Sequence, residues 1–448
     1  MKKTLFILLI LSYFIYPAEA DELNFDTFLS TAINNSYNLK ISQLEKEIAK
    51  RGVKEAKAGY YPTLSAFATT ERYNDLTNGN SQITAVGNDI LLNRSYYQDI
   101  AALGLSYNIF DFGIRRKQLD IAHADDKQKE LLLQKSTRDL KLDAVDIYGE
   151  ALSLYKHSQN KTETLELQKE LVDINKRLKK AGELSDIDLV QSEIEFSETK
   201  AQLDEISNKL AKELTNISYY TNKNYDINNL SLKEFPTEPE GVVENKDNLL
   251  MGVVEILDFI PEKSFEIQAA DLEILKKKKE YEMQKKANYP KIRFDTRYNF
   301  YGSDPSNLFN GIGDISQRSL TIRFSASMVL FDGFKNINTI SKKKLEIEKA
   351  KVEKEKQIAD LKKKYEQIQL DAQNAIIQAK NNTHTLSLIN KNLENLRRLN
   401  TNGIIARSEC IKKQIELLQK KQELEQSQIK NFVARYKLHV LSEEQSNL

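Results

Sequence analysis

The sequence predicts a mainly α-helical chain that carries a small amount of membrane-spanning β-sheet and uses one plan twice. Three observations predict it. An export leader is followed by no apolar run of about eighteen residues, so no helix is expected to span a bilayer. Ala58-Gly59-Tyr60-Tyr61-Pro62, a strand, a loop, a second strand and Phe110-Asp111-Phe112-Gly113 form one segment. The segment returns as Ala287-Asn288-Tyr289-Pro290, strand, loop, strand and Phe331-Asp332-Gly333-Phe334. Charged helical stretches follow each copy and run far longer than a globular core uses.

Residues 1–20 read as a signal peptide. Lys2 and Lys3 supply its positive start, Leu5 to Tyr16 its apolar stretch, and Ala18-Glu19-Ala20 its cleavage site, which makes Asp21 the expected mature start. Lys2, Lys3 and Glu19 leave with the leader, so the formal net charge of +1 falls to zero. The 29% of charged residues are mixed in sign, as on solvated helix faces, and no basic stripe suggests nucleic acid. Cys410 is the single cysteine, which excludes an internal disulfide and reads as a small buried hydrophobe.

The first repeat is expected over 21–220. A helical pattern from Leu23 to about Lys57 breaks at Asn34-Asn35-Ser36, residues that favour caps and turns. Pro62 ends the helix and starts a β-hairpin over 63–110. Leu64, Ala66, Ala68 and Thr70 share one face of its first strand, and Leu103, Leu105, Tyr107 and Ile109 one face of its second. Each strand is about ten residues, the length a tilted transmembrane strand needs. Between them, Asn74 to Asp99 is polar and reads as a loop. A long helical hairpin follows over 114–220. Its tip is at 181–184, and Ser185 caps the return helix with Asp188 in the capping-box position.

Residues 221–248, rich in Asn and Pro, read as a periplasmic connection between the repeats. The second repeat is expected over 249–441, with a β-hairpin at 291–331 and a helical hairpin at 336–441 whose tip is at 402–405. Residues 442–448 are expected to be a short tail. Ser36 through Pro62 align with Ser264 through Pro290 at a constant offset of 228, and Phe110 through Gly182 with Phe331 through Gly403 at 221. The second β-hairpin is thus seven residues shorter, a change that a loop absorbs and a long helix does not.

Four strands cannot close a barrel, and an open sheet edge is not tolerated in lipid. Three copies sharing one sheet would give about twelve strands and a lumen, whereas two would give about eight and a plugged interior. A homotrimer in outer-membrane lipid is therefore expected. Leu133, Leu140, Ile147 and Leu154 repeat every seventh residue with Thr137, Ala144 and Ala151 between them. Leu361, Ile368 and Ala375, with Ile358, Tyr365 and Ala372, do the same later, and both sets favour coiled-coil packing. Tyr60, Tyr61, Tyr107, Phe110, Tyr289 and Phe331 lie at strand ends, as an interfacial aromatic belt or as packing between sheet and helices.

No catalytic chemistry, metal site or cofactor is expected. His123, His157, His384 and His439 are scattered, and no HExxH pair, P-loop or nucleophile elbow occurs. The rival readings are an exported coiled-coil surface protein without a pore, and a periplasmic enzyme. The second lacks any clustered polar site.

The duplicated order, the Tyr-Pro and Phe-Asp-Gly joints and the two tip glycines resemble the TolC family of outer-membrane efflux and secretion ducts, over essentially the whole mature chain. The resemblance implies a homotrimer whose twelve-stranded outer-membrane β-barrel continues into a periplasmic α-barrel. It implies the exit duct of a tripartite efflux pump or a type I secretion system, joined to an inner-membrane transporter through a periplasmic adaptor. It maps the acidic constriction onto Asp188 and Glu409, six places after each tip glycine. Either residue also reads as an acid favoured by the first turn of its helix. The adaptor-gripped tips map onto Gly182, Glu183 and Leu184, and onto Gly403, Ile404 and Ile405. The chain departs from the family pattern at Lys412, where a further aspartate is expected, and at Asn400 and Ile405, where a tyrosine and arginine lock would stand. Arg407 is the candidate substitute. Cargo is not legible, since the same tube serves drugs and secreted proteins.

Overall fold

The computed structural model describes residues 21–74, 82–85, 88–91, 96–227, 230–236, 260–304, 307, 310 and 317–446. The signal peptide and half of the connection at 221–248 lie outside the described residues. Two compact units are formed, each from separate stretches of chain. One comprises Met1–Gln43, Leu131–Gln268 and Lys356–Leu448, and the other Leu44–Glu130 and Ala269–Glu355.

The second unit holds the main sheet. Its strands are β2 (Thr63–Tyr73), β5 (Tyr96–Phe110), β7 (Lys291–Asp304) and β8 (Gln317–Ser327), in the order β2-β5-β7-β8. Every neighbouring pair is antiparallel. The two repeats therefore contribute one hairpin each and meet along β5 and β7. A register shift between Asn108 and Phe110 bends β5 where it leaves the sheet. β3 (Gln82–Ala85) and β4 (Asn88–Leu91) pair within the stretch expected to be loop, and β5 begins earlier than the expected Ala101. The polar composition of 74–99, with only four residues in each of β3 and β4, hid them.

The other unit packs helices α1 (Phe25–Asn35), α3 (Ile114–Lys180), α4 (Asp186–Thr221), α6 (Lys335–Thr401) and α7 (Arg407–Ser446), of which α3 and α6 start in the sheet unit. Helix α2 (Tyr37–Ala58) begins in this unit, and α5 (Phe265–Lys285) belongs almost wholly to the sheet unit. The expected break at 34–36 is present: Ser36 is buried, and its hydroxyl accepts the Leu39 amide at 3.3 Å. Helix α7 runs to Ser446, so 442–446 continue the helix instead of forming the expected tail.

The core of the helical unit gathers Phe25, Phe28, Tyr148, Leu152, Leu210, Leu214, Ile217 and Phe432. The short parallel pair of β1 (Asp21–Leu23) and β6 (Leu230–Leu232) closes over it. The buried Tyr148 hydroxyl lies 2.8 Å from the Leu23 carbonyl and 2.7 Å from that of Lys233, and donates to them. Burial pushes its pKa above the usual phenol range. Of the expected heptad positions, Leu140, Ala144 and Ala151 in α3 and Tyr365, Ile368, Ala372 and Ala375 in α6 are buried, while Leu133, Thr137, Ile147, Leu154, Ile358 and Leu361 are half-buried.

Candidate functional site

Register decides which side chains share a face of the main sheet. Across the four strands, Leu64, Leu105, Thr296 and Ile322 stand in one row, and Ala66, Leu103, Tyr298 and Leu320 in the next of the same face. Tyr107, Phe294 and Phe324 form a third row. Across the four strands this face is uncharged from Ile292 to Tyr298, six steps or about 20 Å along the strand at ~3.3 Å per residue. With the usual barrel tilt that is about 15 Å of height, the central part of a membrane-spanning band. Leu320, Ile322 and Phe324 on it are each at least 60% exposed. Charge returns at Arg318, directly across from Phe300, and beyond that row at Asp99 and Arg72. The opposite face carries Ser65, Ser106, Lys291, Arg293, Asp295, Arg297, Asn299, Ser319 and Arg323. Phe67 lies there too, and the Arg297 guanidinium sits 4.8 Å from its ring centre.

The strand-to-helix joints are built by two acids. After Phe110 the chain passes through two left-handed residues, Phe112 at φ 54° and Gly113 at φ 81°. Buried Asp111 makes that possible by accepting the Gly113 and Arg115 amides, both at 3.1 Å, which caps α3. Arg115 donates back to Asp111 at 2.9 Å, to the Gly59 carbonyl at 3.3 Å and to the Ile109 carbonyl at 3.2 Å. One side chain thus ties the end of α2, the end of β5 and the start of α3. In the second repeat Gly333 and Phe334 take the left-handed pair, and Asp332 accepts the Asn336 amide at 2.9 Å.

The predicted aromatic residues fall around these joints. Tyr60 and Tyr107 flank the Arg115 guanidinium at 5.2 and 5.8 Å. Phe110 and Tyr289 are brought together by Phe112, with ring centres at 4.7 and 5.1 Å from it. Phe331 packs edge-on against Phe334 at 5.4 Å. Tyr61 and Phe331 are each 72% exposed in the single chain. Tyr60, Tyr107, Phe110, Tyr289 and Phe331 thus take part in packing at the joints. Arg115, Phe112 and Phe334 are the members that sequence reasoning did not single out.

The helical tips repeat one backbone motif. Gly182 and Gly403 have φ of 79° and 73°. Their amides bond the carbonyls of Lys179 and Asn400, while Glu183 and Ile404 reach Leu178 and Leu399 at 2.9 Å. This is the glycine-dependent helix stop in which a left-handed residue satisfies the last carbonyls. Asp188 is exposed, and the Ser185 hydroxyl donates to it at 2.6 Å while accepting its amide at 3.1 Å. Glu409 is also exposed, in the first turn of α7. Glu183, Gly403 and Ile404 are exposed, and Leu184 and Ile405 half-buried.

Close to the second tip, Arg407 grips Glu170 of α3 with two bonds, at 3.0 and 3.2 Å. The guanidinium holds the Glu170 carboxyl below its usual range. Farther along the same α3–α7 seam the contact is again polar, with Asn160 donating to Glu425 at 2.7 Å. At Gly149 it becomes apolar and close, against Val433 and Ile429.

One more feature concerns the outer helix faces. Tyr37, Ile41, Leu44 and Ile48 make a stripe along α2, and all are more than half exposed. Leu345, Val352, Leu370 and Ile377 do the same on α6. The apolar periodicity of α2 thus faces away from its own chain.

A family model for outer membrane efflux proteins matches residues 28–223 and 260–435, one stretch in each repeat. None of the curated proteins matches the sequence. Among solved structures, the CmeC outer membrane channel of Campylobacter jejuni aligns with a TM-score of 0.74 at 15% identity, covering 95% of this chain and 89% of its own. CusC gives 0.72 at 16% identity over 93% and 91% of the two chains. The outer membrane protein VceC of Vibrio cholerae gives 0.71 at 14% over 93% and 95%. These likenesses establish the fold, and the family match establishes more: the chain belongs to the outer membrane efflux protein family and is located in the outer membrane, extending into the periplasm.

Proposed function

We propose that three copies join their sheets edge to edge into one twelve-stranded barrel and their helical hairpins into a periplasmic tube. The resulting duct passively conducts cargo delivered by an inner-membrane transporter through a periplasmic adaptor. The observation that carries this reading is a four-stranded sheet with one exposed apolar face, uncharged from the Ile292 row to the Tyr298 row, and an edge strand, β2 or β8, on either side. Lipid rejects such edges, and a further copy of the same sheet satisfies them. The exposed apolar stripes on α2 and α6 give the copies a second surface to bury. Fractionated membranes run on an unheated gel test it. An oligomer of three chain masses in the outer membrane is expected, and a soluble monomer would sink the duct.

The tips serve as the gate and as the adaptor's grip, with Gly182, Glu183, Leu184, Gly403, Ile404 and Ile405 at the contact. Arg407 and Glu170 take the role of the missing family lock, tying the second hairpin to the first. Arg407→Ala should therefore raise single-channel conductance in planar bilayers several-fold. Acid should act in the same direction. Glu170 has a folded pKa below its ordinary 4.5, so the pair is intact above that value and is lost as pH falls through the depressed one. Conductance indifferent to both changes would remove the pair from the gate.

Asp188 and Glu409 line the closed aperture, where a ring of carboxylates favours cations. Asp188→Asn keeps an acceptor for the Ser185 hydroxyl while removing the charge. Together with Glu409→Gln it should reduce cation selectivity several-fold at unchanged melting temperature. A lower melting temperature with unchanged selectivity would leave both residues as helix caps.

A further inference from the structure

We infer that the wet face of the sheet is a basic belt selecting cargo that carries a carboxylate, sulfate or phosphate group. The inference rests on the duct reading above and adds the charge class of what leaves through it. Opposite the apolar face, β7 presents Lys291, Arg293, Asp295, Arg297 and Asn299, and β8 presents Arg323 directly across from Asp295. Four basic side chains thus meet one acid. The pair of Asp295 with Arg323 accounts for one charge and leaves Lys291, Arg293 and Arg297 in excess. All four basic residues are exposed in the single chain.

The matching face of the first hairpin has no basic residue, and its one charge is Glu71. It reads Thr63, Ser65, Phe67 and Thr69 on β2, and Asn108, Ser106, Gly104 and Ala102 on β5. Basic charge therefore comes from the second hairpin alone, and three copies would set three basic sectors between three that carry none. On one face of β7 the side chains rise in steps of about 6.6 Å, so Lys291, Arg293 and Arg297 form a staircase. A passing anion would leave one site within reach of the next, which binding weak enough to permit conduction requires. Arginine suits this role because its fork matches the planar oxygens of carboxylate and phosphate. The sign is opposite to that of Asp188 and Glu409 at the tips, so one duct would carry two filters of different preference.

The test is the reversal potential of the purified oligomer in planar bilayers under a potassium chloride gradient. It is run in the Arg407→Ala background, so that the tips do not set the resistance. Arg293→Gln, Arg297→Gln and Arg323→Gln combined should shift the permeability ratio toward cations several-fold. They should also weaken block by citrate added on the loop side at least several-fold. Trimer mobility on an unheated gel should be unchanged, since these side chains are exposed. Conducting channels whose reversal potential and citrate block do not move would overturn the belt and leave the duct standing. Oligomer that never conducts would overturn both.

Discussion

Arg115→Ala is expected to destabilise the folded chain by about 3–5 kcal/mol, the range for removing one partner of a buried ion pair. Arg115 and Asp111 are 14% and 8% exposed, so neither charge is relieved by solvent when the other is lost. The alanine variant leaves Asp111 as a buried carboxylate with only two amides to neutralise it. It also strips the Gly59 and Ile109 carbonyls of a charged donor. Both carbonyls belong to element ends, where no ladder or helix supplies a replacement. Arg115→Lys keeps the charge but cannot reach three acceptors with one ammonium, so it should recover about half of the loss. In the second repeat Asn336 occupies the equivalent position and accepts from Gln284 at 2.7 Å. Asn336→Ala should cost only about 1 kcal/mol, the worth of a neutral hydrogen bond. Denaturant midpoints of the detergent-solubilised oligomer measure all three. Equal effects in the two repeats would show that Arg115 is not the special brace of its joint.

What the sequence made legible was local or repeated. Pro62 and Pro290, the strand alternation and the tip glycines all act within a few residues, and each occurs twice, so one copy supports the other. The apolar stripe of α2 was legible as a period but not as a direction. A spacing of three and four residues says that a face is buried, not which chain buries it, and Tyr37, Ile41, Leu44 and Ile48 face outward. Arg115 was invisible because two of its three acceptors are backbone carbonyls, one of them 56 residues away. Arg407 and Glu170 are 237 residues apart, and no local pattern pairs them. The β1–β6 pair spans three residues a side, too short for any period. Phe112 and Phe334 adopt left-handed φ because a flanking acid holds the turn, a cause that no residue type announces.

Gly149→Val is expected to destabilise by about 3 kcal/mol, at the upper end of what overpacking a core costs. Gly149 is the only glycine in α3, and by propensity alone it should weaken the helix by ~1 kcal/mol relative to alanine. Packing overrides that preference. A Cβ built there would meet Val433 Cγ2 at 2.7 Å, closer than carbon atoms approach, with Ile429 at 3.7 Å and Phe235 at 3.8 Å behind it. Val433 is β-branched, and its methyl groups cannot swing aside within a helix without leaving the one favoured rotamer. Alanine at 149 gains helix propensity and loses to the same clash, so its net effect should be about 1 kcal/mol destabilising. Valine gains nothing and adds two more methyls beside Tyr148, whose hydroxyl bonds hold β1 and β6 in place. The loss should therefore spread to the amides of Leu23 and Lys233, whose hydrogen exchange should quicken with the fall in stability. Val433→Ala in the same chain opens the space and should restore most of the deficit of Gly149→Ala. That non-additivity is what a direct contact produces. If the double variant shows only the sum of the single effects, α3 and α7 do not meet at Gly149, and the close apolar end of their seam is not what anchors the helical hairpins.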